Sequence, residues 1–177
     1  GSAMSFDGSN DYLDIFNSEQ VSASFQSLSD ALTISMWFKA DAVSGNETGA
    51  WYSYYTIAEM RTETSSGTHI PFSLGVNNSK ISFGVTDNHT TSDERIDGTT
   101  SISTDTWYHV AVTMSGDDYV IYLDGSSDKS GTLSTATGDR SVGTTNSNFF
   151  IGARSDNDGD GGSFFDGLIS NVQVWNT

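Results

Sequence analysis

Apolar residues recur at every second position along most of the chain. Leu32, Ile34, Met36 and Phe38 share one face of a run in which Thr33, Ser35 and Trp37 take the other. Ile70, Phe72, Leu74 and Val76 repeat the pattern, as do Ile81, Phe83 and Val85. Tyr108, Val110, Val112 and Met114 alternate with His109, Ala111 and Thr113; Tyr119, Ile121 and Leu123 follow, and Val172 and Val174 close the chain. A period of two predicts strands with one buried face. Asp7-Gly8, Asp97-Gly98, Gly116-Asp117-Asp118, Asp124-Gly125 and Gly138-Asp139 punctuate the runs as turns. Asp117-Asp118 predicts a hairpin between strands at 107–115 and 119–124. Residues 18–31 offer at most a single helical turn, through Val21, Phe25 and Leu28. Ser126 to Asn148 reads as a long loop with one weak strand. Short strands around one core, without helices, predict an all-β, antiparallel two-sheet β-sandwich.

Composition sharpens this picture. A length of 177 residues suits one domain. Gly1-Ser2-Ala3-Met4 reads as a cloning remnant, which leaves 5–177 as the folded unit. The 23 acids against 7 Lys and Arg give a net charge of −16, and 18 of those acids are Asp, a turn residue rather than a helix former. Such a charge argues against binding nucleic acid through its phosphates. No apolar run approaches the ~20 residues of a membrane span. The absence of Cys removes disulfides, zinc-thiolate sites and Cys nucleophiles.

Several pieces, taken in order, carry a resemblance. They are Phe6-Asp7-Gly8-Ser9-Asn10-Asp11-Tyr12-Leu13, Leu32 to Phe38, Trp107-Tyr108-His109-Val110-Ala111 and Tyr122-Leu123-Asp124-Gly125. Phe150-Ile151-Gly152-Ala153 and Phe165-Asp166-Gly167-Leu168 through Trp175 complete the set. Together they resemble the laminin-G-like and pentraxin group of the concanavalin A-like jelly rolls, over nearly the whole chain. The resemblance implies two curved antiparallel sheets, often with calcium and often binding glycans or proteins. It also implies structural roles for Trp37, Trp107 and Trp175.

The sharpest local feature is Asp156-Asn157-Asp158-Gly159-Asp160-Gly161. Alternate Asp side chains in a curling loop converge, and three carboxylates so close repel one another unless a cation neutralises them. The twelfth position from Asp156 is Gly167 where an EF-hand needs Glu, so the reading is a calcium loop on a β scaffold. The alternative is a solvated acidic turn. A second candidate is Asp7 with Asp11. The resemblance implies an ion joining this N-terminal turn to the last strand, with Asp166 as partner; the alternative is an Asx turn capping backbone N–H groups.

Aromatic residues crowd the segment from Trp51 to Tyr55, after the polar loop 41–50. Exposed rings stack on the apolar faces of sugars while Asp and Asn read hydroxyls, so Trp51 and Tyr52 are candidate ligand residues. Asn88, His89 and Asp156 join them if loops 41–50, 87–98 and 155–163 share one rim. His109, on a strand, reads as packed. Glycan hydrolysis on related folds uses paired carboxylates, but Glu59-Met60-Arg61-Thr62-Glu63 lacks the middle acid, so no catalytic residue is expected. These readings converge on a non-catalytic, calcium-containing carbohydrate-binding module. It would belong to a larger extracellular or cell-surface protein, with a neutral glycan or a cell-surface glycoprotein as partner. The alternative is a protein-binding or structural adhesion module that uses calcium for rigidity.

Overall fold

The computed structural model describes residues 1–16, 31–44, 55–64, 67–86, 93–135, 147–155 and 161–176. The helical turn considered at 18–31 falls outside them, apart from Ala31, which begins a strand.

Two six-stranded antiparallel sheets pack face to face. The first holds β1 (Met4–Asp7), β3 (Ala31–Ala40), β8 (Trp107–Ser115), β9 (Asp118–Leu123), β10 (Ser126–Thr132) and β14 (Asp166–Trp175), in the order β1-β14-β3-β8-β9-β10. The second holds β2 (Leu13–Phe16), β4 (Tyr55–Thr64), β5 (Gly67–Asn77), β6 (Lys80–Thr86), β7 (Asp93–Asp97) and β11 (Ser147–Ile151), in the order β2-β11-β4-β5-β6-β7. A two-stranded ribbon, β12 (Arg154–Ser155) with β13 (Gly161–Gly162), stands apart. The inward positions of the period-two runs form the core between the sheets: Ile34, Met36, Phe38, Val110, Val112 and Ile121 from one, Phe72, Leu74, Val76, Ile81, Phe83 and Val85 from the other. Phe165 sits between them at one end, edge-on to Phe6 at 6.5 Å and to Phe38 at 6.4 Å.

Ile70 departs from the alternation. It is buried but lies outside the main core. Pairing jumps from Met60↔Phe72 to Thr62↔His69, which leaves an extra residue on β5 beside Pro71. Proline has no N–H for the ladder, so a bulge is where a strand tolerates it; the bulge shifts the face that Ile70 would otherwise share.

Two carboxylates latch the sandwich at its β7/β10 edge. Glu94, on β7, accepts the backbone N–H groups of Ser134 and Thr135 at 2.7 and 2.8 Å, just beyond β10. Asp128, on β10, accepts those of Thr99 and Thr100 at 3.1 and 2.9 Å, just beyond β7, and the Thr99 hydroxyl at 2.9 Å. Burial works to raise the Asp128 pKa, yet the Thr100 and Thr99 hydroxyls and amides outweigh it and hold the group below the ordinary carboxylate range. A depressed pKa means stability that is whole above the unfolded value and lost as pH falls through the folded one. Asp128→Ala is therefore expected to cost about 1 kcal/mol near neutrality, with partial exposure limiting the effect. The gap from wild type should close below about pH 4. Urea melts at neutral and acidic pH measure this, and a gap independent of pH would rule out the charge as its cause.

Candidate functional site

Hydrogen bonds gather several strand ends at one end of the sandwich. β12 and β13 pair through Arg154↔Gly162 and Ser155↔Gly161, which ties together the two ends of the segment carrying Asp156, Asp158 and Asp160. Next to this ribbon, Thr56 N donates to Ser163 O at 2.9 Å and Thr56 bridges Phe164. Asp41 N donates to Asp166 O at 2.9 Å, and Ser79 N to Val43 O at 2.7 Å. Trp51 and Tyr52, with Asp156, Asp158 and Asp160, lie outside the described residues; the residues that anchor their segments meet at this end. Asn88 and His89 also lie outside the described residues. Their flanking residues, Thr86 and Asp93, pair with each other at the opposite end of the second sheet. Tyr55 lies level with Val76 and Ile81, and Thr86 is five residues from Ile81 along β6, a separation of roughly 17 Å. Loops 41–50 and 155–163 thus leave from one end, whereas 87–92 leaves from the other.

Asp7 and Asp166 are described, and the β1–β14 register sets them directly opposite each other. Gly8 N donates to Phe165 O at 3.2 Å, and a Cβ on Gly8 would stand 2.9 Å from the Asp166 Cβ, so the turn needs glycine for Asp166 to seat beside it. The Asp7 Oδ1 accepts the N–H groups of Ser9 and Asn10 at 2.9 and 3.3 Å, while Asp7 N donates to Asp11 Oδ2 at 3.2 Å. These contacts are those of the Asx turn. The Ser9 and Asn10 amides hold the Asp7 carboxyl below the usual carboxylate range. Among the described residues no group of three or more His, Asp or Glu converges to hold a metal. Asp7 and Asp166 stand on two adjacent strands, and the pair by itself would offer only part of the six to eight oxygens a calcium ion takes.

The outer faces of the two sheets differ. On the second, Glu59, Ser73, Ser82 and Phe150 are buried, and Glu59 accepts the Ser73 hydroxyl at 2.7 Å. On the first, Trp37, Trp107 and Trp175 are 43, 40 and 41% exposed. The three residues expected to be structural therefore stand on the outer face of the sheet and not between the two sheets. Leu32 to Phe38 point their even positions inward, so parity turns Trp37 outward; Trp107 precedes the half-buried Tyr108, which packs on the core, and faces the same way. His109, opposite Trp37 in register, rests its ring 5.2 Å from the indole rather than entering the core. Lys39 donates to Asp105 at 3.3 Å alongside.

A laminin G family model, described as the concanavalin A-like lectin/glucanases superfamily, matches residues 7–177. Among curated proteins none matches the chain in sequence. Solved structures share the fold. A carbohydrate-binding module (CBM40) of the Ruminococcus gnavus IT-sialidase, bound to α2,3 sialyllactose, superposes with a TM-score of 0.72 at 13% identity, covering 100% of this chain and 91% of that one. Domain 4 of the extracellular arabinanase AbnA from Geobacillus stearothermophilus, in complex with arabinotriose, gives 0.61 at 19% identity over 98% of this chain and 69% of that one. Mouse laminin α1 domains LG4-5 give 0.66 at 15% identity over 97% of this chain, which spans 41% of that fragment.

Proposed function

Since the chain belongs to the concanavalin A-like lectin/glucanases superfamily, we propose that it is a non-catalytic, calcium-containing carbohydrate-binding module of a larger extracellular protein. Structures of the same fold in complex with sialyllactose and arabinotriose support glycan recognition by this fold. The observation that carries the reading is the bond between Thr56 and Ser163. It joins the strand that follows Trp51 and Tyr52 to the ribbon that ends the Asp156–Asp160 segment. In this reading Asp156, Asp158 and Asp160 hold calcium, with Asp7 and Asp166 as a second, structural pair. The calcium keeps part of its coordination shell open to two sugar hydroxyls, and Trp51 or Tyr52 supplies the stacking ring. A net charge of −16 favours a neutral glycan over a sulfated or uronic one.

A glycan array read in calcium and again in chelator tests this, together with thermal melts. Calcium bound only by the native state at 100 Kd adds roughly 2.7 kcal/mol, so chelation should lower the midpoint by several degrees. Asp158→Ala should weaken calcium binding at least about tenfold by calorimetry. An unchanged midpoint in chelator removes calcium from the reading. Calcium-dependent stability without binding to any glycan would instead make the chain a protein-binding or structural adhesion module.

A further inference from the structure

The three outward tryptophans are not scattered. Trp107 on β8 is the register partner of Lys39, and Trp37 lies on the adjacent β3, so the two stand diagonally across one strand pair. Trp175 on β14 is the partner of Thr33, on the other side of β3. The three indoles therefore descend obliquely across three neighbouring strands on one face. With strands about 4.8 Å apart and a rise of about 3.4 Å per residue, the stripe runs roughly 20 Å. Ser35 and Gln173 lie beneath its longer step, and Ser170 lies beside Trp37. These side chains are shorter than indole, so the rings stand above them.

The fringe of the stripe is polar, and Asp124, which accepts the His109 backbone N–H at 2.8 Å, adds a negative charge at its edge. Ser170 offers its hydroxyl beside Trp37, and Gln173 Nε2 donates to Asn171 Oδ1 at 3.0 Å. The Lys39 charge is matched by Asp105 at 3.3 Å.

We propose that this stripe is a second, calcium-independent glycan surface, which takes an extended neutral β-1,4-linked polysaccharide. The proposal rests on the glycan-binding reading above but places ligand on a face that reading does not use. A single pyranose cannot reach from one end of the stripe to the other; an extended chain can. β-1,4-linked pyranose chains run straight and present flat faces of axial C–H groups, which stack on indole. Hydroxyls at the chain edges meet Ser, Gln and the Lys39–Asp105 pair. An anionic polymer would meet a protein of charge −16 and, among the described residues along the stripe, Lys39 already paired with Asp105 and His109 beside Asp124.

The test is binding to swollen cellulose, xylan and mannan in the presence of EDTA. Wild type should bind at least one of the three. Trp37→Ala and Trp175→Ala should each weaken that binding roughly tenfold, and Trp→Phe at the same positions should retain part of it. Cooperative melts verify that each variant is folded, and Trp175→Ala, at the far end of the stripe, serves if Trp37→Ala disturbs the His109 contact. Binding that vanishes in EDTA and follows Asp158→Ala alone overturns this inference and leaves the calcium-dependent site standing. Failure to bind all three polymers in EDTA overturns it, as does EDTA-resistant binding unchanged in the Trp variants. A dimer in solution that the Trp variants dissociate also overturns it, by showing the face to be an interface between copies.

Discussion

Phe165→Ala is expected to cost about 3–5 kcal/mol, a large share of the ~5–15 kcal/mol that holds a domain folded. Its ring is fully buried and meets both Phe6 and Phe38 edge-on. The backbone around it ties three elements at the candidate end: its N–H donates to Gly152 O at 2.9 Å, and its carbonyl accepts from Gly8 N at 3.2 Å. Truncation would leave a cavity that those fixed neighbours cannot close. The neighbouring Phe164 bridges Thr56 and Asp166 faces Asp7, so under the proposed calcium reading ion binding should weaken together with stability. Urea denaturation followed by calcium calorimetry would measure both. A loss below about 1 kcal/mol would show that the site collapses around the missing ring.

The other large effect belongs to Gly167→Ala. Gly167 lies at φ +141°, a region that residues with a Cβ avoid. A Cβ there would also stand 2.1 Å from the Lys39 carbonyl oxygen and 3.0 Å from the Ala40 Cα. Both neighbours are backbone, so no rotamer change relieves the overlap; β14 must move off β3 at the Gly167↔Ala40 pair. The expected cost is at least about 2–3 kcal/mol, seen as a lower denaturant midpoint. A midpoint equal to that of wild type would mean that the pair opens freely. Because Asp166 is the adjacent residue, the variant should also disturb the Asp7–Asp166 pairing.

Strand content was legible because burial on one face of a strand leaves a period of two, as Leu32 to Phe38 and Tyr108 to Met114 show. The hairpin between β8 and β9 was legible for the same reason, although its turn is Gly116-Asp117 and Asp118 already belongs to β9. β10 was harder to see. Its positions are mostly exposed, so it carries no apolar period, and what holds its outer side is the Asp128 carboxylate on Thr99 and Thr100. Strand order was not readable from alternation, since the period says which face a residue takes but not which strand lies beside it. The same gap affected the candidate site. Asn88 and His89 read as neighbours of the Asp156 loop because both segments are polar, while the ladder from Lys80 to Thr86 carries their flanking residues to the far end. The tryptophan stripe needed two facts at once: outward parity, which the sequence held, and the adjacency of β8, β3 and β14, which it did not.

The pairing of β1 with β14 has a consequence for how the chain folds as it is made. Met4 finds its partner only at Ile169, so within this domain the strand nearest its N-terminal side waits for the one nearest its C-terminal side. The β4–β5–β6–β7 and β8–β9–β10 meanders pair neighbours in sequence and can form early, whereas each sheet is completed by a strand that returns from far along the chain. Until β14 leaves the ribosome, β3 has an open edge carrying Ile34, Met36 and Phe38. Exposed, apolar edges of that kind are where chains associate wrongly, and long-range closure is slow. A chain released before residue 166 would therefore be held as an open, aggregation-prone half-sandwich rather than as a smaller folded unit.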